Sequence, residues 1–113
     1  MKFISAVIVA TLSAMIIFLP GIAYAVEVTM GSNGNLVFDP DNISITAGET
    51  VHFVNGMLPP HNIIVEGRVD LSREALLFAP GETQDVVFAD AGDYTFFCGP
   101  HQGAGMTGVI HVN

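Results

Sequence analysis

The sequence predicts an all-β protein, an eight-stranded Greek-key β-sandwich with at most one short helical turn. Three observations predict it: short segments rich in Val, Ile, Thr and Phe, clusters of Gly, Pro, Asn and Asp between them, and little room left for helix once eight such segments are placed. Residues 26–30 open the series and run into the Gly31-Ser32-Asn33-Gly34 turn cluster. Residues 36–38 end at Asp39-Pro40-Asp41, and 42–46 and 50–55 flank Ala47-Gly48-Glu49. Residues 62–65 stop at Glu66-Gly67. Asp70 or Ser72 could cap a single helical turn over 70–77. Pro80-Gly81-Glu82-Thr83 then leads into 84–88 with the same turn chemistry as Ala47-Gly48-Glu49-Thr50. In 93–98 the period-two rule puts Tyr94, Phe96 and Cys98 on one face and Thr95 and Phe97 on the other. Residues 108–112 form the last strand.

Residues 1–25 read as an address rather than as part of this fold. Lys2 precedes an apolar run from Phe3 to Leu19, Pro20-Gly21 breaks it, and Ala23-Tyr24-Ala25 is a small-x-small cleavage site. An uncleaved anchor is the competing reading, since the run nears the lower limit of a membrane span. The cleavage site directly behind it favours removal, giving a signal peptide over 1–25 and one domain over 26–113. The leader lacks the long Ser- and Arg-rich character of chloroplast import sequences, which points to a bacterial export route.

The whole chain carries a net charge of −8 with His neutral. Beyond the leader, Arg68 and Arg73 alone stand against 11 acidic residues. Nucleic acid is thereby excluded as a partner, because phosphate binding needs a basic footprint. The acidity suits solubility and long-range steering toward a basic docking surface.

Cys98 is the single cysteine. In an exported chain it is a free thiol, an intermolecular bridge or a metal ligand, and the nearby histidine favours the ligand. Cys98-Gly99-Pro100-His101-Gln102-Gly103-Ala104-Gly105-Met106 places a thiolate, an imidazole and a thioether on one tight loop, with Pro60-His61-Asn62 supplying a second imidazole from upstream. Thiolate and thioether are soft ligands suited to Cu(I) and imidazole suits Cu(II), so this mixed set can hold one copper ion in both states. Zinc is the rival metal, but it has no use for Met106. Separately, Cys98 and Met106 could be core residues and His101 a surface one; the joint spacing argues otherwise. His52 and His111 lie in strands, outside the ligand spacing, and are expected on the surface.

The stretch from Gly92-Asp93-Tyr94-Thr95-Phe96-Phe97-Cys98 through Met106-Thr107-Gly108 resembles the copper-binding end of the plastocyanins, small blue copper proteins of photosynthetic electron transport. Pro60-His61-Asn62 and Ala79-Pro80-Gly81-Glu82-Thr83 match further plastocyanin stretches in the family's order, and the likeness, to the cyanobacterial type, covers 26–113. The resemblance implies a cupredoxin-like fold, a copper ion held by His61, Cys98, His101 and Met106, and support from Pro60 and Asn62, with Asn62 tying the His61 and Cys98 loops together. It implies electron exit through His101 across an apolar patch that includes Leu36, Pro60 and Pro100, with Phe97 beside the cysteine. It further implies transient partners, cytochrome f as donor and photosystem I as acceptor, in the thylakoid lumen or the periplasm. No stable homo-oligomer is expected.

The chain departs from the family at three positions. Phe97 stands where Tyr is common, Gly99 where Ser or an acidic residue is common, and Gln102 where cyanobacterial relatives often carry Arg. Two alternatives stand beside this expectation: a pseudoazurin-like donor to a periplasmic reductase, and a copper storage or delivery protein. An enzyme is disfavoured, because no acid–base pair accompanies the ligand set and Met106 closes the position a substrate would need.

Overall fold

The computed structural model describes residues 24–113. The expected leader over 1–25 lies outside the described residues except for Tyr24 and Ala25, which begin the first strand. Nine strands follow in order: β1 Tyr24–Ser32, β2 Asn35–Asp39, β3 Asn42–Ile45, β4 Thr50–Asn55, β5 His61–Val65, β6 Arg73–Leu77, β7 Thr83–Val87, β8 Gly92–Phe97 and β9 Thr107–Val112. Among the described residues one 3-10 helix, Gly99–Ala104, separates β8 from β9. They form two sheets, one ordered β2-β1-β4-β7 and the other β3-β9-β8-β5-β6. Among the described residues no helix is long and apolar enough to cross a membrane.

Alternation builds the core. β4 buries Val51, Phe53 and Asn55 while His52 and Val54 face outward, and β9 buries Gly108, Ile110 and Val112 in the same rhythm. Phe38, Phe53 and Phe96 meet edge to face between the sheets, with ring centroids 4.7 Å apart for Phe38–Phe96 and 5.7 Å for Phe53–Phe96. Phe96 packs over Gly108, its register partner in β9, where a Cβ would stand 2.5 Å from the ring. The row continues from Phe96 to Cys98, both fully buried. The end of the hydrophobic core is thus also the floor of the site.

The two similar turns share their hydrogen bonds. Glu49 Oε1 accepts the Thr46 N–H at 2.6 Å and Glu82 Oε1 accepts the Ala79 N–H at 2.7 Å. Between each pair stands a glycine in the left-handed region, Gly48 at φ 93° and Gly81 at φ 88°.

One segment departs from expectation. Residues 73–77 form a strand rather than a helical turn, raising the strand count from eight to nine. Ser72 does not cap a helix; its hydroxyl donates to Arg68 O at 2.9 Å and accepts the Val65 N–H at 2.9 Å, closing a turn that returns the chain onto β5. The helical turn falls instead at 99–104, in the ligand loop.

His52 and His111 occupy outward strand positions. His52 Nδ1 lies 2.5 Å from Asp85 Oδ1, and His111 Nδ1 lies 2.8 Å from Asp93 Oδ1. Neither approaches the ligand cluster, which comprises His61, Cys98 and His101.

Candidate metal centre

β5 begins at His61, and β8 ends one residue before Cys98. The two strands are antiparallel neighbours, with Ile64 opposite Phe97, so the start of one lies beside the end of the other. That pairing closes the sequence gap of 37 residues between the imidazole and the thiol. His101 follows on the 3-10 helix, where Pro100 stands in the first turn and Gly105 ends the element in the left-handed region at φ 86°.

His61 Nδ1 lies 3.7 Å and His101 Nδ1 3.5 Å from Cys98 Sγ. All three ligand atoms fall within 4.8 Å of one another. Metal–nitrogen and metal–sulfur bonds of about 2.0 and 2.3 Å would be long enough to bridge the N···S separations of 3.5 and 3.7 Å. These residues would hold one metal ion between the two imidazoles and the thiol. Met106 is fully buried, and its main chain is tied to both other ligand positions of the loop. Its carbonyl accepts the Cys98 N–H at 3.0 Å and its N–H donates to His101 O at 3.3 Å. The soft thioether of Met106 selects copper over zinc in such a set.

The protonation of His61 follows from its partner. Nε2 lies 2.7 Å from Met57 O, and a carbonyl can only accept, so Nε2 carries the proton and Nδ1 presents its lone pair to the ion. Burial depresses the His61 pKa, as does the nearby His101, while the Met57 carbonyl opposes them. Burial pushes the Cys98 thiol up, partly offset by the backbone N–H groups of Asn62 and His101. A metal that binds here must therefore displace a proton from Cys98.

Asn62 holds the centre together from one side. Its Oδ1 accepts the Gly99 N–H at 2.7 Å and its Nδ2 donates to Glu74 O at 3.1 Å, joining β5, β6 and the ligand loop. Pro60 O lies 4.0 Å from Cys98 Sγ. Gly99 is a close fit, since a Cβ there would stand 3.2 Å from the Asn62 amide.

His101 is only half buried, and its ring centroid lies 5.1 Å from that of His61. The residues flanking the two ligand loops, Met57, Leu58, Pro59, Pro100, Gly103 and Ala104, are exposed, while Leu36 and Pro60 are half buried. Phe97 is half buried on the face of β8 opposite Cys98. Sequence reasoning did not find the Met57 carbonyl, because a main-chain atom leaves no mark in residue type. Nor did it find Gly31, whose only signal is a glycine closing a strand pattern.

Residues 24–113 match the copper-binding proteins of the plastocyanin/azurin family. A chloroplastic plastocyanin of Fritillaria agrestis is 46% identical over 102 residues, covering 80% of this chain and 61% of that protein, so the chain spans less than two thirds of that relative's length. Plastocyanin B'/B'' of Nicotiana tabacum is 42% identical over 99 residues, covering 78% of this chain and all (100%) of its own. Among solved structures, a mutant fern plastocyanin superposes with a TM-score of 0.69 at 34% identity, over 77% of this chain and 99% of its own. Pseudoazurin from Methylobacterium extorquens AM1 gives 0.59 at 27% identity, over 78% of this chain and 74% of its own.

Proposed function

The chain belongs to the plastocyanin/azurin family of copper-binding proteins, and on that footing we propose that it carries single electrons from cytochrome f to photosystem I in the thylakoid lumen. It is a blue copper electron carrier and not an enzyme. The observation that supports the carrier reading is the convergence of His61 Nδ1, Cys98 Sγ and His101 Nδ1 within 4.8 Å of one another, with Met106 buried at the end of the same loop. His61, Cys98, His101 and Met106 are the ligands in this reading, and the copper they hold supplies one reversible electron between Cu(I) and Cu(II).

The chain's own residues do the rest. The β5–β8 pairing and the Asn62 bridge keep the donor atoms in place whichever oxidation state they serve, which lowers the reorganisation that transfer requires. His101, the ligand with an exposed edge, is the exit for the electron. Leu36, Pro60 and Pro100 surround it as an apolar contact surface, and Phe97 provides an aromatic face beside the cysteine. A small, largely apolar contact suits partners that must separate after each transfer. The leader over 1–25 delivers the domain over 26–113 to the lumen.

The test is to express the chain, load it with Cu(II), and follow both its visible colour and its reduction by cytochrome f in a stopped-flow instrument. Rapid bleaching of an intense blue band with the metal retained supports the proposal. Reduction that releases copper to a chelator would identify a storage or delivery protein instead. Absence of reduction by cytochrome f would overturn the partner assignment.

A further inference from the structure

β1 reaches the metal centre through a bulge. Its pairing with β2 shifts register between Met30 and Ser32, and the residue between them, Gly31, sits in the left-handed region at φ 83°. Two main-chain bonds run from this bulge to the loop ahead of His61. Met30 O accepts the Gly56 N–H at 2.9 Å, and Gly31 O accepts the Met57 N–H at 2.9 Å. Met57 O in turn accepts the His61 Nε2–H at 2.7 Å.

The space at Gly31 is already filled. A Cβ there would stand 1.8 Å from Met57 O and 2.8 Å from His61 Nε2, far inside any tolerable contact. Gly34, in the same hairpin, has a similar φ of 75° but nothing within 4 Å of its Cβ position. The two glycines share a backbone requirement, and only Gly31 has a packing requirement directed at the imidazole.

We propose that Gly31 is a positioning residue for the copper centre: its missing side chain admits the Met57 carbonyl to His61 and so fixes the Nε2–H tautomer. The proposal rests on the reading of His61 as a copper ligand. If the carbonyl is displaced, the ring is free to rotate or to carry its proton on Nδ1, where it blocks the lone pair the ion needs.

The experiment compares Gly31→Ala with Gly34→Ala, which carries the backbone cost without the contact. Imidazole nitrogen chemical shifts in the apo protein report the tautomer, and Cu(II) is then added alone to measure metal loss to a chelator. Wild type and Gly34→Ala should hold the Nε2–H tautomer and lose copper at the same slow rate. Gly31→Ala should show mixed tautomers, an altered blue band and copper loss about 10–100-fold faster. A Gly31→Ala protein that matches Gly34→Ala in tautomer and in metal loss overturns the proposal. The tautomer is read without metal, so an error in the copper assignment shows separately, as a wild-type protein that takes up no blue copper. If Gly31→Ala does not fold, the imidazole nitrogen shifts of the wild type decide: His61 held wholly as the Nε2–H tautomer supports the contact. Mixed His61 tautomers in the wild type overturn the proposal as well.

Discussion

Asn62→Ala removes both side-chain bonds that join β5, β6 and the ligand loop. The Asn62 side chain is nearly buried, at 7% exposure, so water does not fully replace what is lost. Each bond contributes about 1 kcal/mol net, and leaving the Gly99 N–H and Glu74 O without their partner adds about 1 kcal/mol more. The apo protein should therefore lose about 2–3 kcal/mol, which moves a urea unfolding midpoint down by about 1–2 M at the slope of a small domain. Gly99 opens the 3-10 helix that carries His101, so the same change should speed copper loss. Unfolding of the apo variant within about 0.5 kcal/mol of wild type would refute the reasoning, because the bridge would then carry no strain between the elements it joins.

Cys98→Ser should leave a folded sandwich, weakened by about 1–2 kcal/mol for a buried hydroxyl, whose Cu(II) form lacks the intense blue band; a retained band in the visible spectrum would exclude thiolate ligation. Phe96→Ala should cost about 3–5 kcal/mol in apo urea titrations, since its ring meets both Phe38 and Phe53. The apo protein should also lose stability at both ends of the pH scale. His61 has its pKa lowered by burial, so its contribution is present above the ordinary imidazole value of about 6.5 and is lost as pH falls through the folded value. Cys98 has its pKa raised by burial, so its contribution is present below the ordinary thiol value and is lost as pH rises through the folded one. Urea midpoints measured across pH should therefore show an acid limb that His61→Gln removes and an alkaline limb that Cys98→Ser removes.

The sequence carried the two-sheet architecture because most strands alternate cleanly. Val51 and Phe53 against His52 and Val54 is a pattern only a half-buried strand explains. The ligand loop was equally legible, because a lone cysteine with His101 and Met106 close behind has few other uses. β6 was not legible, and the reason is physical. It is an edge strand in which only Leu77 is buried, so it shows no period of two, and Ser72 offers a capping residue to the wrong element. The Met57 carbonyl and the closeness of Gly31 were hidden for another reason: main-chain contacts depend on how two distant loops meet, and residue identity records that only as the absence of a side chain.

β9 lies between β3 and β8, in the interior of its sheet, although it comes after both in the chain. In this sheet β3 is an edge strand that pairs with β9, so the layer is joined on that side through β9. The β5–β8 pairing alone sets Cys98 beside His61, whereas Met106 sits directly ahead of β9 and takes its place with that strand. The same strand that knits β3 to β8 therefore also anchors the thioether end of the loop, and loosening β9 would loosen sheet and ligand set together.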